Sequence, residues 1–354
     1  METSTKFSTT ELVLLISNAV ISKLFLVYPS SFSALGASAS ILLALFTALL
    51  GLIFTLLLVR LCKSKKDITQ IIPSKPIKIL ACIIFVLLFV LNQGYFVRSV
   101  AESLKISILP DSSLFLITLI YMAGVLICSH TGLKSIVRAH SIITPFTIIL
   151  LIFLTVASIN NFDFYNIFPV MGNGYKMLPY LVVLSSYFED FILLMFIIPF
   201  SSERASFKKI IIPSYIVSSL ALVIVIGTYT LTIPYTVSGT FFIPVYRIAQ
   251  YINFQSFMAR MESIFTIGWI LSYFLTSATY LYICAMITGR IFGTRRCRPY
   301  MYVISAIIFG VAFIPKDTLQ LVEISRLYAI PRLVVGMLLP VVILLLYKKR
   351  GEKP

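Results

Sequence analysis

The sequence predicts an all-α integral membrane protein of about ten transmembrane helices, arranged as a 5+5 inverted repeat with broken helices 1 and 6. Three observations carry this expectation. Of 354 residues, 59% are hydrophobic and only 12% charged, with mean hydropathy +1.00, which no water-soluble domain of ordinary composition matches. Apolar windows of membrane-crossing length recur at 11–29, 37–60, 77–101, 112–129, 137–158, 178–200, 210–233, 262–288, 299–315 and 331–347. The first window of each set of five is interrupted by polar residues, and five being odd, the two halves must face opposite ways. The expected division is a repeat over 8–158, a second over 176–347, an amphipathic external segment at 241–258 and a tail at 348–354, all in one transmembrane domain.

The basic residues fix the orientation. Loops after even-numbered windows carry Arg60, Lys63, Lys65, Lys66, Lys75 and Lys78, then Lys134 and Arg138, Arg204, Lys208 and Lys209, Arg290, Arg295, Arg296 and Arg298, and the tail adds Lys348, Lys349, Arg350 and Lys353. The opposite side holds few, among them Arg98, Arg326 and Arg332, so both termini are expected in the cytoplasm. The net charge of +16 therefore reports topology, and no nucleic-acid partner is expected. The first window lacks a basic leader and a small-residue cleavage site, and reads as a retained helix. Cys62, Cys82, Cys128, Cys284 and Cys297 fall in windows or cytoplasmic loops and imply neither disulfides nor metal. Without a Gly-rich phosphate loop or Cys/His ligand spacing, and with His130 and His140 near a cytoplasmic edge, the expectation is no enzyme, no cofactor and no metal.

In the first window, Ser17-Asn18 and Ser22-Lys23 interrupt the apolar run, which Pro29 is expected to close. Window three carries Asn92-Gln93-Gly94-Tyr95, then Arg98 and Glu102, which is either a patch facing a pocket or an interhelical hydrogen bond. Pro169-Val170-Met171-Gly172-Asn173-Gly174 reads as an external turn into window six. There, Ser185-Ser186-Tyr187-Phe188-Glu189-Asp190 sits in the middle, with Glu189 roughly 16 Å of helix rise from either end, where an ionised group costs most. Such a run either loosens the helix around a small-molecule cavity or only locks two helices together. Segment 241–258 alternates apolar and polar residues like an interfacial or lid helix. In window eight Glu262 shares a stripe with Trp269 and Tyr273, expected to face a pocket. The candidate ligand-binding residues are Asn18, Ser22, Lys23, Asn92, Tyr95, Ser185, Ser186, Tyr187, Glu189, Trp269 and Tyr273. Because the first helices of two inverted halves cross at the centre, Lys23 either pairs with Glu189 or leaves it free for a ligand's ammonium.

At these residues the chain resembles the endospore germinant receptor B-subunit family, the spore germination permeases of the amino acid-polyamine-organocation superfamily. The likeness rests on Ser8-Thr9-Thr10-Glu11 opening window one, on Pro29, on Pro169 to Gly174, and on Arg260-Met261-Glu262-Ser263-Ile264-Phe265 with Trp269. The chain departs from it at Ser22 and Leu24, where glycines are expected, and at Gly36-Ala37-Ser38-Ala39-Ser40, which lacks the family's Trp. The resemblance implies a LeuT-like fold and a subunit of a three-part receptor in the spore inner membrane. It further implies a small germinant, such as an amino acid, and germinant receptor A and C subunits as partners. An active amino acid/cation symporter or permease is the alternative. Lys23 lies near the depth at which relatives place a coupling cation, and could stand in for it.

Overall fold

The computed structural model describes residues 6–62, 67–202, 204–252, 261–294 and 296–348, with side chains for all of these except 261–264, 347 and 348. Among them the chain is helical apart from one parallel bridge between Phe7 and Ser201. Ten spans cross the molecule, and the first and sixth are broken.

Span one begins with α1 (Thr9–Ser22), started by a capping box in which the Ser8 hydroxyl accepts from the Glu11 amide and the Glu11 carboxylate accepts from the Ser8 amide. A tight turn, Lys23–Phe25, leads through a non-helical Leu26 (φ −104°, ψ −143°) into α2 (Tyr28–Gly36). Pro29 therefore opens the second half of the span instead of closing the span, a correction with a simple cause. Lacking an N–H, it cannot bond back to the Phe25 carbonyl as a continuous helix would, while the Val27 carbonyl starts α2 by accepting from the Ser31 amide and from the Ser30 and Ser31 hydroxyls, all at 2.9 Å. The chain then turns through Ala37–Ala39, with Ala37 at φ 52°, into α3 (Ser40–Leu61). The turn at Pro169–Gly174 packs on this corner: the Ser38 hydroxyl donates to the Pro169 carbonyl at 2.5 Å and the Asn173 amide to the Leu35 carbonyl at 2.8 Å. Gly172, at φ +45°, lies so close to the Gly36 carbonyl that a Cβ would overlap it.

After the short α4 (Ile68–Ile71) come α5 (Lys75–Ser107), α6 (Leu114–His130) and α7 (Leu133–Ala157). Arg98, expected on an external edge, is buried within α5, where it pairs with Glu102 at 2.9 Å and donates to the Ala312 and Lys316 carbonyls. Span six consists of α8 (Leu178–Leu184), a tight helical turn Ser185–Phe191, α9 (Ile192–Ile197) and a last turn Ile198–Phe200. It is the enclosed centre of the fold: 83% of its apolar window is buried, against 33% for Leu133–Ala157, whose Ile142, Ile149, Ile152 and Val156 are exposed along one stripe.

The second half continues with α10 (Phe207–Thr232), α11 (Tyr235–Ser238), α12 (Pro244–Tyr251), α13 (Met261–Ile291) and α14 (Arg298–Ala312). Helix α12 forms within the expected amphipathic segment; 253–260 and the side chain of Glu262 lie outside the described residues. Span ten is longer than expected. Helix α15 (Thr318–Pro331) runs into a π-helical turn, Arg332–Leu338, and on into α16 (Leu339–Lys348). Arg332, expected in a loop, is consequently buried inside the protein. The ten spans place residues 6 and 348 on one face, here the terminal face, and α2, α8 and α15 toward the other.

Candidate functional site

The breaks in spans one and six meet. Lys23 reaches across from the span-one turn, placing Nζ 2.9 Å from Glu189 Oε1 and 2.6 Å from Asp190 Oδ2, and donating to the Tyr187 carbonyl at 3.4 Å. All three charged residues are at most 2% exposed. The tight turn at Ser185–Phe191 lets two consecutive carboxylates converge on one ammonium. Asn92 Nδ2 donates to Glu189 Oε1 at 3.3 Å, and the Tyr280 hydroxyl donates to Asp190 Oδ1. Glu189 Oε2 has no hydrogen-bond partner among the described residues. It lies beside the π-helical turn: a Cβ on Gly336 would stand 2.9 Å from Glu189 Cβ and 3.6 Å from Oε2. π-helical turns occur often at functional sites, and here the turn lets span ten approach the carboxylate.

Toward the face away from the termini, a cavity of about 430 Å³ opens over this cluster between α2, α8 and α15. Its polar lining includes Tyr28, Ser31, Tyr95, Tyr180, Ser186 and Ser325, with Arg326 and Arg332. Arg332 donates from Nη1 to the Tyr28 hydroxyl at 3.3 Å and from Nη2 to the Ser325 carbonyl at 3.1 Å. On the terminal face a second cavity of about 460 Å³ is walled by Phe7, His130, Lys134, Pro199, Phe200 and Arg298, among others. Between the two lies a cleft bounded by Ser22, Lys23, Gln93, Asp190, Tyr273 and Thr276, too narrow for water.

The structure divides the sequence candidates into groups. Lys23, Glu189 and Asn92 form the charged cluster, to which Tyr187 contributes its carbonyl. Tyr95 and Ser186 line the open cavity, while Ser22 and Tyr273 line the narrow cleft. Asn18 does neither: it bonds Ser272 and Thr276, its Nδ2 donating to the Ser272 carbonyl at 3.0 Å and its Oδ1 accepting from the Ser272 hydroxyl at 2.7 Å, locking α1 to α13. The Ser185 hydroxyl turns back onto the Val182 carbonyl, as expected for a serine in a helix end. The Tyr187 ring packs edge-on to Tyr28. Trp269 and Tyr273 point into the protein, not toward lipid, in edge-to-face contact with ring centres 6.0 Å apart, but Trp269 reaches none of these three spaces.

Asp190, Tyr280 and Arg332 were missed. Asp190 belongs to the polar run Ser185 to Asp190 but is absent from the candidate residues, and the structure adds it as the second acid on Lys23. Arg332 followed a window edge and read as a loop cation; the signal available was the loop itself, since a connection of 316–330 with no structure is longer than most.

The sequence matches the family described as spore germination protein over residues 6–347. The chain belongs to that family. Two curated members, both from Bacillus subtilis (strain 168), are spore germination protein B2, 24% identical over 246 residues, and spore germination protein A2, 26% identical over 248 residues. Each match covers 66% of this chain and 66% of the relative, so the chain spans about two thirds of the length of these curated relatives. Among solved structures the fold resembles Mhp1, a nucleobase-cation-symport-1 family transporter in a closed conformation with bromovinylhydantoin bound. The TM-score is 0.61 at 10% identity, over 98% of this chain and 94% of that one. A manganese transporter from Eremococcus coleocola matches with TM-score 0.56 at 14% identity, covering 95% of this chain and 77% of the other. This member of the spore germination family is thus a multi-pass membrane protein with a transporter-like fold.

Proposed function

We propose that this chain is the membrane-embedded sensing subunit of a germinant receptor in the spore inner membrane. A small nutrient such as an amino acid enters the cavity over the two helix breaks, and its binding shifts the complex toward a signalling state read by the A and C subunits. The observation that carries this is the position of the cavity. It sits beside the two broken helices, lined by Val27, Tyr28 and Ser186 next to their breaks and by Arg332, and its volume of about 430 Å³ suits a small molecule. The basic loops put the termini, and with them the second cavity, in the cytoplasm.

The similarity to Mhp1 and the manganese transporter supports a second reading, an active symporter or permease. Lys23 argues for the receptor. Its ammonium already pairs both core carboxylates, at the depth where a coupling cation would otherwise be needed to balance them. Uptake of labelled amino acids into vesicles holding this chain alone separates the two. The receptor reading expects no saturable accumulation, together with co-purification of A and C subunits from spore membranes. Robust accumulation by the lone chain would overturn it. Family and fold are those of transporters and receptors, and the function proposed is not enzymatic.

A further inference from the structure

We infer that the cavity over the helix breaks is a carboxylate site, in which Arg332 of the π-helical turn takes the ligand's carboxylate and a ligand ammonium is dispensable. This rests on the small-ligand reading above and narrows its chemistry.

Arg332 holds hydrogen-bond donors that the described residues leave unfilled beside open space. Among the described residues no Asp or Glu lines the cavity, whereas Arg332 and Arg326 both do. Arg332 is only 6% exposed, and its hydrogen-bond partners are neutral: the Tyr28 hydroxyl and the Ser325 carbonyl. Its Nε has no partner among the described residues, so a guanidinium with five N–H donors is buried beside open space with donors to spare. A buried cation in that condition is costly unless an anion completes it, and a planar guanidinium takes a carboxylate through two parallel bonds. Glu189 and Asp190 lie near enough to Arg332 to offset its charge in part, yet among the described residues neither forms an ion pair or hydrogen bond with it. Both are held by Lys23, and neither reaches the cavity wall.

The same facts make the ammonium dispensable. The carboxylates that would receive it lie outside the cavity and are already paired with Lys23. What remains for an ammonium is neutral groups, such as the hydroxyls of Tyr28, Ser31, Tyr95, Tyr180, Ser186 and Ser325. The rest of the wall, including Val27, Leu35, Val183 and Leu184, is apolar and suits a short hydrocarbon body. The π-helical turn holds the anchor in place, since Gly336 packs against Glu189 one turn further along the same face.

The test uses the full chain purified in lipid nanodiscs and reads binding by calorimetry and thermal shift. The probes are alanine, leucine and phenylalanine, each with its deaminated acid, its amide and its decarboxylated amine. The expected result is binding by at least one acid, with its deaminated acid within about tenfold and its amide and amine on the order of 10 to 100-fold weaker, the loss of a charge-assisted pair. Arg332→Gln should remove the preference for the acid over the amide, and Arg332→Lys should restore part of it. Arg60→Gln, exposed and outside the cavity, should keep the preference. If Arg332→Gln fails to fold, the ligand series on the unaltered chain still decides. An amide or amine that binds as well as its acid overturns the inference, and so does a panel in which no carboxylate binds. Carboxylate-selective binding without any germination response would instead sink the receptor reading and leave the site standing.

Discussion

Replacing Lys23 by Met should be the most damaging single change at the core, because one ammonium serves two acids. At 2.9 Å from Glu189 and 2.6 Å from Asp190, each attraction is about 6 kcal/mol at an effective dielectric constant near 20. Desolvation offsets several kcal/mol per ion, so intact, the triad adds little net stability. Removing Lys23 is different: two adjacent buried carboxylates remain, with only Asn92 Nδ2 and the Tyr280 hydroxyl as side-chain donors. The expected loss is on the order of 3–5 kcal/mol. Glu189→Gln leaves Lys23 paired one-to-one with Asp190 and should cost about 1 kcal/mol, as should Asp190→Asn. Adding Glu189→Gln to Lys23→Met should recover part of the loss, and adding Asp190→Asn as well should recover more. Membrane abundance and thermal unfolding of the purified chain measure the series as a mutant cycle. Strict additivity, or a Lys23→Met protein as stable as the parent, would refute the reasoning.

Gly336→Ala should destabilise by about 1–3 kcal/mol, since the new Cβ would meet Glu189 Cβ at 2.9 Å, close to both backbones; thermal unfolding checks it. Tyr280→Phe should cost roughly 1–3 kcal/mol, measured the same way, and less when combined with Asp190→Asn, because the hydroxyl's partner is then neutral. Arg290→Gln should open the joint between α4 and α13 to trypsin: Arg290 pairs with the buried Asp67, which also caps α4 by accepting from the Thr69 amide at 2.8 Å, and the rate of limited proteolysis at Lys75 and Lys78 reads the change.

Composition and period made the membrane spans legible, and the mid-span polar run of Ser185 to Asp190 marked a real departure from the α-helix. Both follow from local rules: a bilayer has no partner for a bare charge, so charges at depth must have found one another. The match of Lys23 to Glu189 was legible only through the assumed crossing of two distant helices. Three residues exceeded local reasoning. Asp190 joins because Lys23 comes in from span one to lie within reach of both acids, a placement that depends on where the distant helix sits. Asn18 looked like a site residue because it is polar and deep, yet Ser272 and Thr276, some 250 positions away, satisfy it. Arg332 required knowing that span ten begins at Thr318, so that Arg332 lies mid-span in a π-helical turn against Glu189 instead of at the outer end of the window 331–347.

The two cavities and the cleft between them constrain how a bound ligand could be felt across the membrane. One space ends at Tyr28, Tyr95 and Arg332 and the other at Phe7, Phe200 and Met301, while the cleft at Lys23 and Asp190 admits no water. Spans one and six are fastened twice, at mid-depth by Lys23 and at the terminal face by the exchange of the Phe7 and Phe200–Ser202 backbone groups at 2.8 Å. Two ion pairs in a dry interior are costly to separate, so these spans act as one body. The contacts between that body and span ten are of another kind. They include a glycine packed on Glu189 and one hydrogen bond from Arg332 to the Tyr28 hydroxyl, which costs less to rearrange than two ion pairs. A ligand that competes for the Arg332 guanidinium acts where the protein resists least, and the lever it moves is the π-helical turn leading into α16 and the terminal face.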